Sequence, residues 1–146
     1  MKIYLDVCAI QRPLDTPNQI RIVLEAEAIL GLLALLDTGH FELLSSDALI
    51  YETDQNPLPV RQEQARAILA KAKTRIRLSD QAKVRAAQLT ELGFRPLDAP
   101  HLALAEIGQA DYFCTCDDRL LRKAQQIAGL QVKVVSPLDL VQEVEK

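Results

Sequence analysis

Three acids stand where the chain has to turn, and a fourth lies within a helix. Asp6 directly follows the apolar run Ile3-Tyr4-Leu5, Glu52 lies in a short helix after the second strand, Asp98 opens an apolar helix, and Asp117 follows the short apolar run from Tyr112 to Thr115. Two carboxylates about 4 Å apart repel by roughly 4 kcal/mol at an effective dielectric near 20. Against a domain stability of roughly 5–15 kcal/mol, their convergence demands either raised pKa values or a bound cation. Ligands that are all oxygen, with no His or Cys, favour a hard ion, Mg²⁺ or Mn²⁺. Such an ion polarises a phosphoryl group and activates water for in-line displacement.

Each acid also has a plainer role. Asp98 fits an N-cap, its carboxylate accepting from the free N–H groups of the first turn, with Pro100 early enough in that turn to be tolerated. Asp117 fits a turn and Glu52 a solvated helix face, while Asp111 and Asp118 suit strand-end and turn positions better than a ligand set. His101, one helical step from Asp98, is within reach of a phosphate but reads more readily as a packed or solvated helix histidine, and Cys8 as a small buried side chain. Arg12, Arg119 and Arg122, the last two with Lys123 just after the fourth acid, fit contacts to substrate phosphates and equally a helix face pairing with solvent.

The elements that must position these residues alternate. Lys2 to Leu5 is a first strand, and a Pro- and Asp-containing loop follows from Gln11 to Pro17. Thr16-Pro17-Asn18-Gln19 forms a capping-box pattern that opens a helix to about Asp37, stopped at Gly39. Phe41 to Leu44 is a second strand, Ser45-Ser46-Asp47 caps the helix carrying Glu52, and Val60 to Lys73 is helical. Arg75 to Leu78 alternates Arg with apolar residues, as an edge strand does. Ser79 caps a helix ending at Gly93, Arg119 to Ala128 is helical, Gln131 to Val135 is the last strand, and Ser136-Pro137 opens a final helix. About five short strands joined by helices imply a parallel α/β sheet covered on both faces, within one domain spanning residues 1–146. Ligands of such sheets sit beyond the carboxyl ends of the strands where strand order reverses, the placement expected of Asp6 and Asp117.

Composition narrows the class. At 146 residues, 49% apolar and 25% charged, the chain can bury a real core. It contains no long apolar run and no charged-then-apolar leader, so neither export nor membrane insertion is expected. Three cysteines, Cys8, Cys114 and Cys116, do not make a disulfide framework and point to a reduced, cytoplasmic setting. Net charge is only −3, but residues 61–95 carry nine basic and three acidic side chains, a block suited to a polyanion track or to a solvated helix pair.

Together these segments resemble the PIN domain family, and in particular its small VapC-type toxins. The matching stretches are Ile-Tyr-Leu-Asp6-Val-Cys with Arg12-Pro13 soon after, Ser45-Ser46-Asp-Ala-Leu-Ile-Tyr-Glu52, Leu97-Asp98-Ala-Pro-His-Leu-Ala-Leu-Ala, and Asp111-Tyr-Phe-Cys-Thr-Cys-Asp117-Asp118-Arg-Leu-Leu. The resemblance implies a three-layer α/β/α sandwich and a Mg²⁺- or Mn²⁺-dependent endoribonuclease. Asp6, Glu52 and Asp98 would be core ligands, with Asp117 completing the site directly or through water. It also implies an RNA substrate, a cognate antitoxin and frequent homodimerisation. Cys8 stands where such proteins often place a hydroxyl or amide, Gln11 where Asn is common, and Pro100 where a larger aliphatic is usual.

Two other classes compete. A haloacid-dehalogenase-like phosphatase would need a second Asp where Cys8 stands, and a response-regulator receiver would need an early acidic pair and a late Lys, neither of which is present. A non-catalytic RNA- or protein-binding module remains the alternative without chemistry.

Overall fold

Three consecutive residues of the first strand, Ile3, Tyr4 and Leu5, have no solvent exposure at all. Successive strand residues point to opposite faces, so this strand is covered on both sides. The computed structural model, which describes residues 1–146, places it at the centre of a five-stranded sheet in the order β3-β2-β1-β4-β5. The strands are β1 (Lys2–Leu5), β2 (Glu42–Ser46), β3 (Thr74–Ile76), β4 (Tyr112–Cys114) and β5 (Lys133–Val135), and every pairing is parallel. Helices flank the sheet, as the expected α/β/α sandwich requires, with β3 at an edge. No helix is long and apolar enough to cross a membrane.

Strand order runs outward from β1 through β2 to β3, then returns to β1's other side with β4. The switch point therefore lies between β1 and β4, whose last residues Leu5 and Cys114 pair in register. Asp6 N–H donates to the Cys114 carbonyl at 2.9 Å, which fixes Asp6 at the crevice mouth. On one face of the sheet Tyr4 stacks on Phe113 with ring centroids 5.0 Å apart.

Several helix starts follow their side-chain caps. Ser46 opens α3 (Asp47–Asp54), Ser79 opens α5 (Asp80–Glu91) and Ser136 opens α8 (Pro137–Val144), each hydroxyl accepting from an N–H three residues on. The first long helix departs from expectation. It is α2 (Ile20–Asp37), and the Thr16-Pro17 box lies in irregular chain before it, with no side-chain cap at Gln19. The cause is the segment ahead. Val7, Ala9 and Ile10 are buried as a short helix, α1 (Val7–Ile10), and Arg12–Leu14 forms a 3₁₀ turn. Arg12 in that turn donates to Glu25 of α2, so the chain docks on α2 before entering it.

The basic block is not a free track. Six of its nine cations, Arg61, Arg66, Lys71, Arg75, Arg85 and Arg95, are ion-paired with acids from elsewhere in the chain. The helix spanning most of its first part is α4 (Pro59–Leu69).

Candidate metal centre

The site is built outward from Asp6. Its Oδ1 accepts from Val7 N–H at 2.9 Å, capping α1, and its Oδ2 accepts from the Thr115 hydroxyl at 2.9 Å and the Cys8 thiol at 3.4 Å. Thr115, buried just past β4, also accepts from Asp117 N–H at 3.1 Å. The hydroxyl that Cys8 does not supply thus comes from the neighbouring strand. Burial pushes the Asp6 carboxyl above the usual aspartate range, a tendency that nearby His101 opposes and Glu52 reinforces. Contact with Cys116, burial and the Asp6 charge hold the Cys8 thiol far above its usual range, so it is no nucleophile.

His101 lies on α6 (Ala99–Ile107), buried against the sheet. Its Nδ1 is 2.7 Å from the Tyr4 hydroxyl and its Nε2 is 3.1 Å from Glu52 Oε1. Tyr4 is held in turn by Ser46 Oγ at 2.7 Å, the atom that caps α3 and so fixes the helix bearing Glu52. Burial would lower the His101 pKa, but the bond to Glu52 and the charges of Asp6, Glu52 and Asp98 outweigh it and raise the value. Protonated, the imidazolium donates to Tyr4 on one side and to Glu52 on the other.

One ligand atom from each of Asp6, Glu52 and His101 lies within 4.8 Å of the other two. Ligand bonds to a divalent cation are roughly 2.0–2.6 Å, so a cation between the three would need only small side-chain shifts. The donor set therefore fits a divalent metal. It contains an imidazole nitrogen, whereas the sequence implies oxygen ligands alone.

Asp98 and Asp117 form a second group. Arg95, in the turn before α6, donates from Nε to Asp98 Oδ2 at 2.8 Å and from a terminal nitrogen to Asp117 Oδ2. Asp117 Oδ1 caps α7 (Asp118–Gln126) by accepting from Arg119 and Leu120 N–H. Asp98 does not cap α6. Its backbone is already helical, Arg95 C=O takes the N–H groups of Asp98 and Ala99, and its carboxylate turns to Arg95. The four acids thus divide in two, Asp6 and Glu52 around His101, Asp98 and Asp117 around Arg95. The groups are joined by the Thr115 hydroxyl, bonded to both Asp6 and Asp117, and by the field of Asp98 on His101.

Of the arginines expected to meet phosphate, Arg12 is committed to Glu25 and Asp15 inside the fold. Arg119 and Arg122 face outward on α7. Asp111 accepts from Lys2 N–H and Asp118 pairs with Arg21, both structural roles. Sequence reasoning missed His101, Tyr4, Thr115 and Arg95 as members of the site. Only the Thr two residues before Asp117 and the His three after Asp98 gave any signal, since Tyr4 and Arg95 act through contacts distant in sequence.

The fold is similar to that of a chain in the crystal structure of VapBC2 from Rickettsia felis bound to a DNA fragment from their promoter, with a TM-score of 0.62 and 14% identity over 93% of this chain and 98% of that one. It is also similar to PAE2754 from Pyrobaculum aerophilum, with a TM-score of 0.50 and 16% identity over 99% of this chain and 98% of that one. At such identities the likeness is one of fold, a PIN-like α/β/α sandwich. No protein-family model and no curated protein matches the chain.

Proposed function

We propose that this protein is a divalent-metal-dependent endoribonuclease acting as the toxin of a toxin–antitoxin pair, restrained by a cognate antitoxin and working as a homodimer. The observation that carries the reading is the part-buried Asp6 carboxylate at the switch point of a PIN-like sheet, grouped with Glu52 and the buried His101. Asp6 and Glu52, with His101 beside them, would hold the ion, and Asp98 and Asp117 would complete the site. A bound Mg²⁺ or Mn²⁺ supplies Lewis-acid polarisation of the phosphoryl oxygens and lowers the pKa of water. Mn²⁺ suits a site with an imidazole better than Mg²⁺, which prefers oxygen.

The chain's own residues do the rest. Val7 N–H and Thr115 fix the Asp6 carboxylate, and the Tyr4–His101 bond fixes the imidazole against Glu52. Glu52 is the half-exposed carboxylate of the cluster and the acceptor for the proton released by the attacking water. Attack on phosphorus breaks the P–O3′ bond and leaves 5′-phosphate and 3′-hydroxyl ends, the departing O3′ taking a proton from solvent. With no Trp and only three Phe and three Tyr, an aromatic platform for bases is not available. Selectivity then comes from RNA shape and single-strandedness.

The test is incubation of a mixed RNA pool with purified, antitoxin-free protein in Mn²⁺, Mg²⁺ or chelator, followed by end analysis. Metal-dependent cuts bearing 5′-phosphates are expected, and a folded, metal-binding protein that leaves every RNA intact would overturn the reading. One observation favours a non-catalytic module instead: Arg95 already pairs with both Asp98 and Asp117. Metal binding without any cleavage would favour that alternative.

A further inference from the structure

A cavity of about 230 Å³ opens beside the second acid group, lined by Gly93, Phe94, Arg95, Asp98, Arg119, Leu120 and Lys123. Arg95 is shared between Asp98 and Asp117, one positive charge against two negative, so the net positive charge of the wall comes from Arg119 and Lys123. Arg119 and Lys123 make no ion pair with any acid. They stand four residues apart on α7 and so share one face of that helix, an arrangement in which like charges destabilise a helix. Arg119 also sits in the first turn, where the helix dipole disfavours a cation. Both costs are relieved by an anion in the cavity.

The cavity is shaped around the Lys123 ammonium. Gly93 has φ +109°, and a Cβ placed there would lie 2.5 Å from Lys123 Nζ and 2.6 Å from its Cε. With no side chain on Gly93, the ammonium rests close beside the turn that carries Arg95. A left-handed turn, a lysine folded over it and an unpaired arginine one helical turn away thus converge on one space.

We propose that this cavity is a phosphate subsite that binds a backbone phosphate of single-stranded RNA next to the reacting one, through Arg119 and Lys123. The assignment rests on the nuclease reading for its ligand but not for its geometry. Arg122, outside the lining, takes no part in it. The subsite lies on the Asp98–Asp117 side of the crevice.

The experiment is fluorescence anisotropy with a labelled short single-stranded RNA of mixed sequence, in chelator so that no metal bridges protein and phosphate. Wild type is compared with Arg119→Gln, Lys123→Gln, the double variant, Gly93→Ala, and Lys83→Gln as a control that removes an unpaired cation elsewhere. Binding is expected to weaken severalfold in each subsite variant, and the dependence of log K on log salt to become shallower by roughly 0.7 per lost contact. Lys83→Gln should match wild type. Gly93→Ala tests position rather than charge, and circular dichroism checks its fold; the two glutamine variants decide the question if it does not fold. The proposal is overturned by a double variant that binds as wild type does, by an equal loss in Lys83→Gln, by wild type that binds no RNA, or by polyglutamate displacing RNA at equal charge concentration. Cleavage assays run alongside separate the two readings: expected binding losses without cleavage by wild type sink the nuclease and leave the subsite, and cleavage with unaffected binding in the double variant does the reverse.

Discussion

Asp6 and His101 are ionisable groups whose burial and neighbours pull in different directions, and the result predicts how stability responds to pH. Burial raises the Asp6 pKa above 3.8, so the folded state holds that proton more tightly than the unfolded chain. Stability from this group therefore falls as pH rises from about 4 toward the raised value. For His101, partners outweigh burial and raise the pKa above 6.5; its contribution is fully present below that pH and is lost as pH rises through the folded value. Melting temperatures of the metal-free protein should decline across both windows. Asp6→Asn should flatten the acidic one and His101→Gln the neutral one, whereas parallel curves for variant and wild type would refute the assignment. Tyr4→Phe removes the hydroxyl that meets both His101 and Ser46 in the core. Leaving buried polar atoms unpaired costs about 1–3 kcal/mol, so denaturant titration should show a loss of that size, with weaker cleavage because the imidazole is no longer oriented.

At the level of elements, the connection from β1 into α2 depends on one buried carboxylate. Glu25 is 1% exposed and is held by Arg12 at 2.7 Å and by Arg21 at 3.3 Å. Removing one partner of a buried pair costs about 3–5 kcal/mol; because Arg21 remains, Arg12→Ala should fall at the low end, about 3 kcal/mol, by urea unfolding. Replacing both, as Arg12→Met with Glu25→Leu, should recover most of that. A double variant no more stable than Arg12→Ala would show that the pair does not act as a buried charge. The same connection marks where element reading failed. Ser46, Ser79 and Ser136 announce their helices because a hydroxyl at an N-cap acts within three residues. Thr16-Pro17 carries an equally good local signal, yet Arg12 and Glu25, thirteen positions apart, decide where α2 begins. Asp98 fails as a cap for a related reason, since Arg95 claims its carboxylate.

Across the whole molecule, the parallel sheet and the crevice between β1 and β4 were legible in the alternation of short apolar strands with capped helices. The placement of Asp6 and Asp117 there follows from topology alone. What the sequence hides is partnership at long range. The basic block looks like a polyanion track until Arg61 meets Asp15 and Arg85 meets Glu106, after which few of its cations are free. Arg61→Gln should accordingly leave RNA affinity unchanged while lowering stability by about 1 kcal/mol, the upper end for a surface pair, since this one is part-buried; anisotropy and urea unfolding check the two halves. The same blindness hid His101, which joins the candidate metal cluster only because Tyr4, Ser46 and Glu52 surround it in the fold. Most direct of all is isothermal titration of Mn²⁺ into the wild type, Asp6→Asn and His101→Gln. One saturable site in the wild type, abolished in Asp6→Asn and weakened in His101→Gln, is the predicted result. Equal binding by all three proteins, or none by the folded wild type, would contradict a metal centre at Asp6, Glu52 and His101.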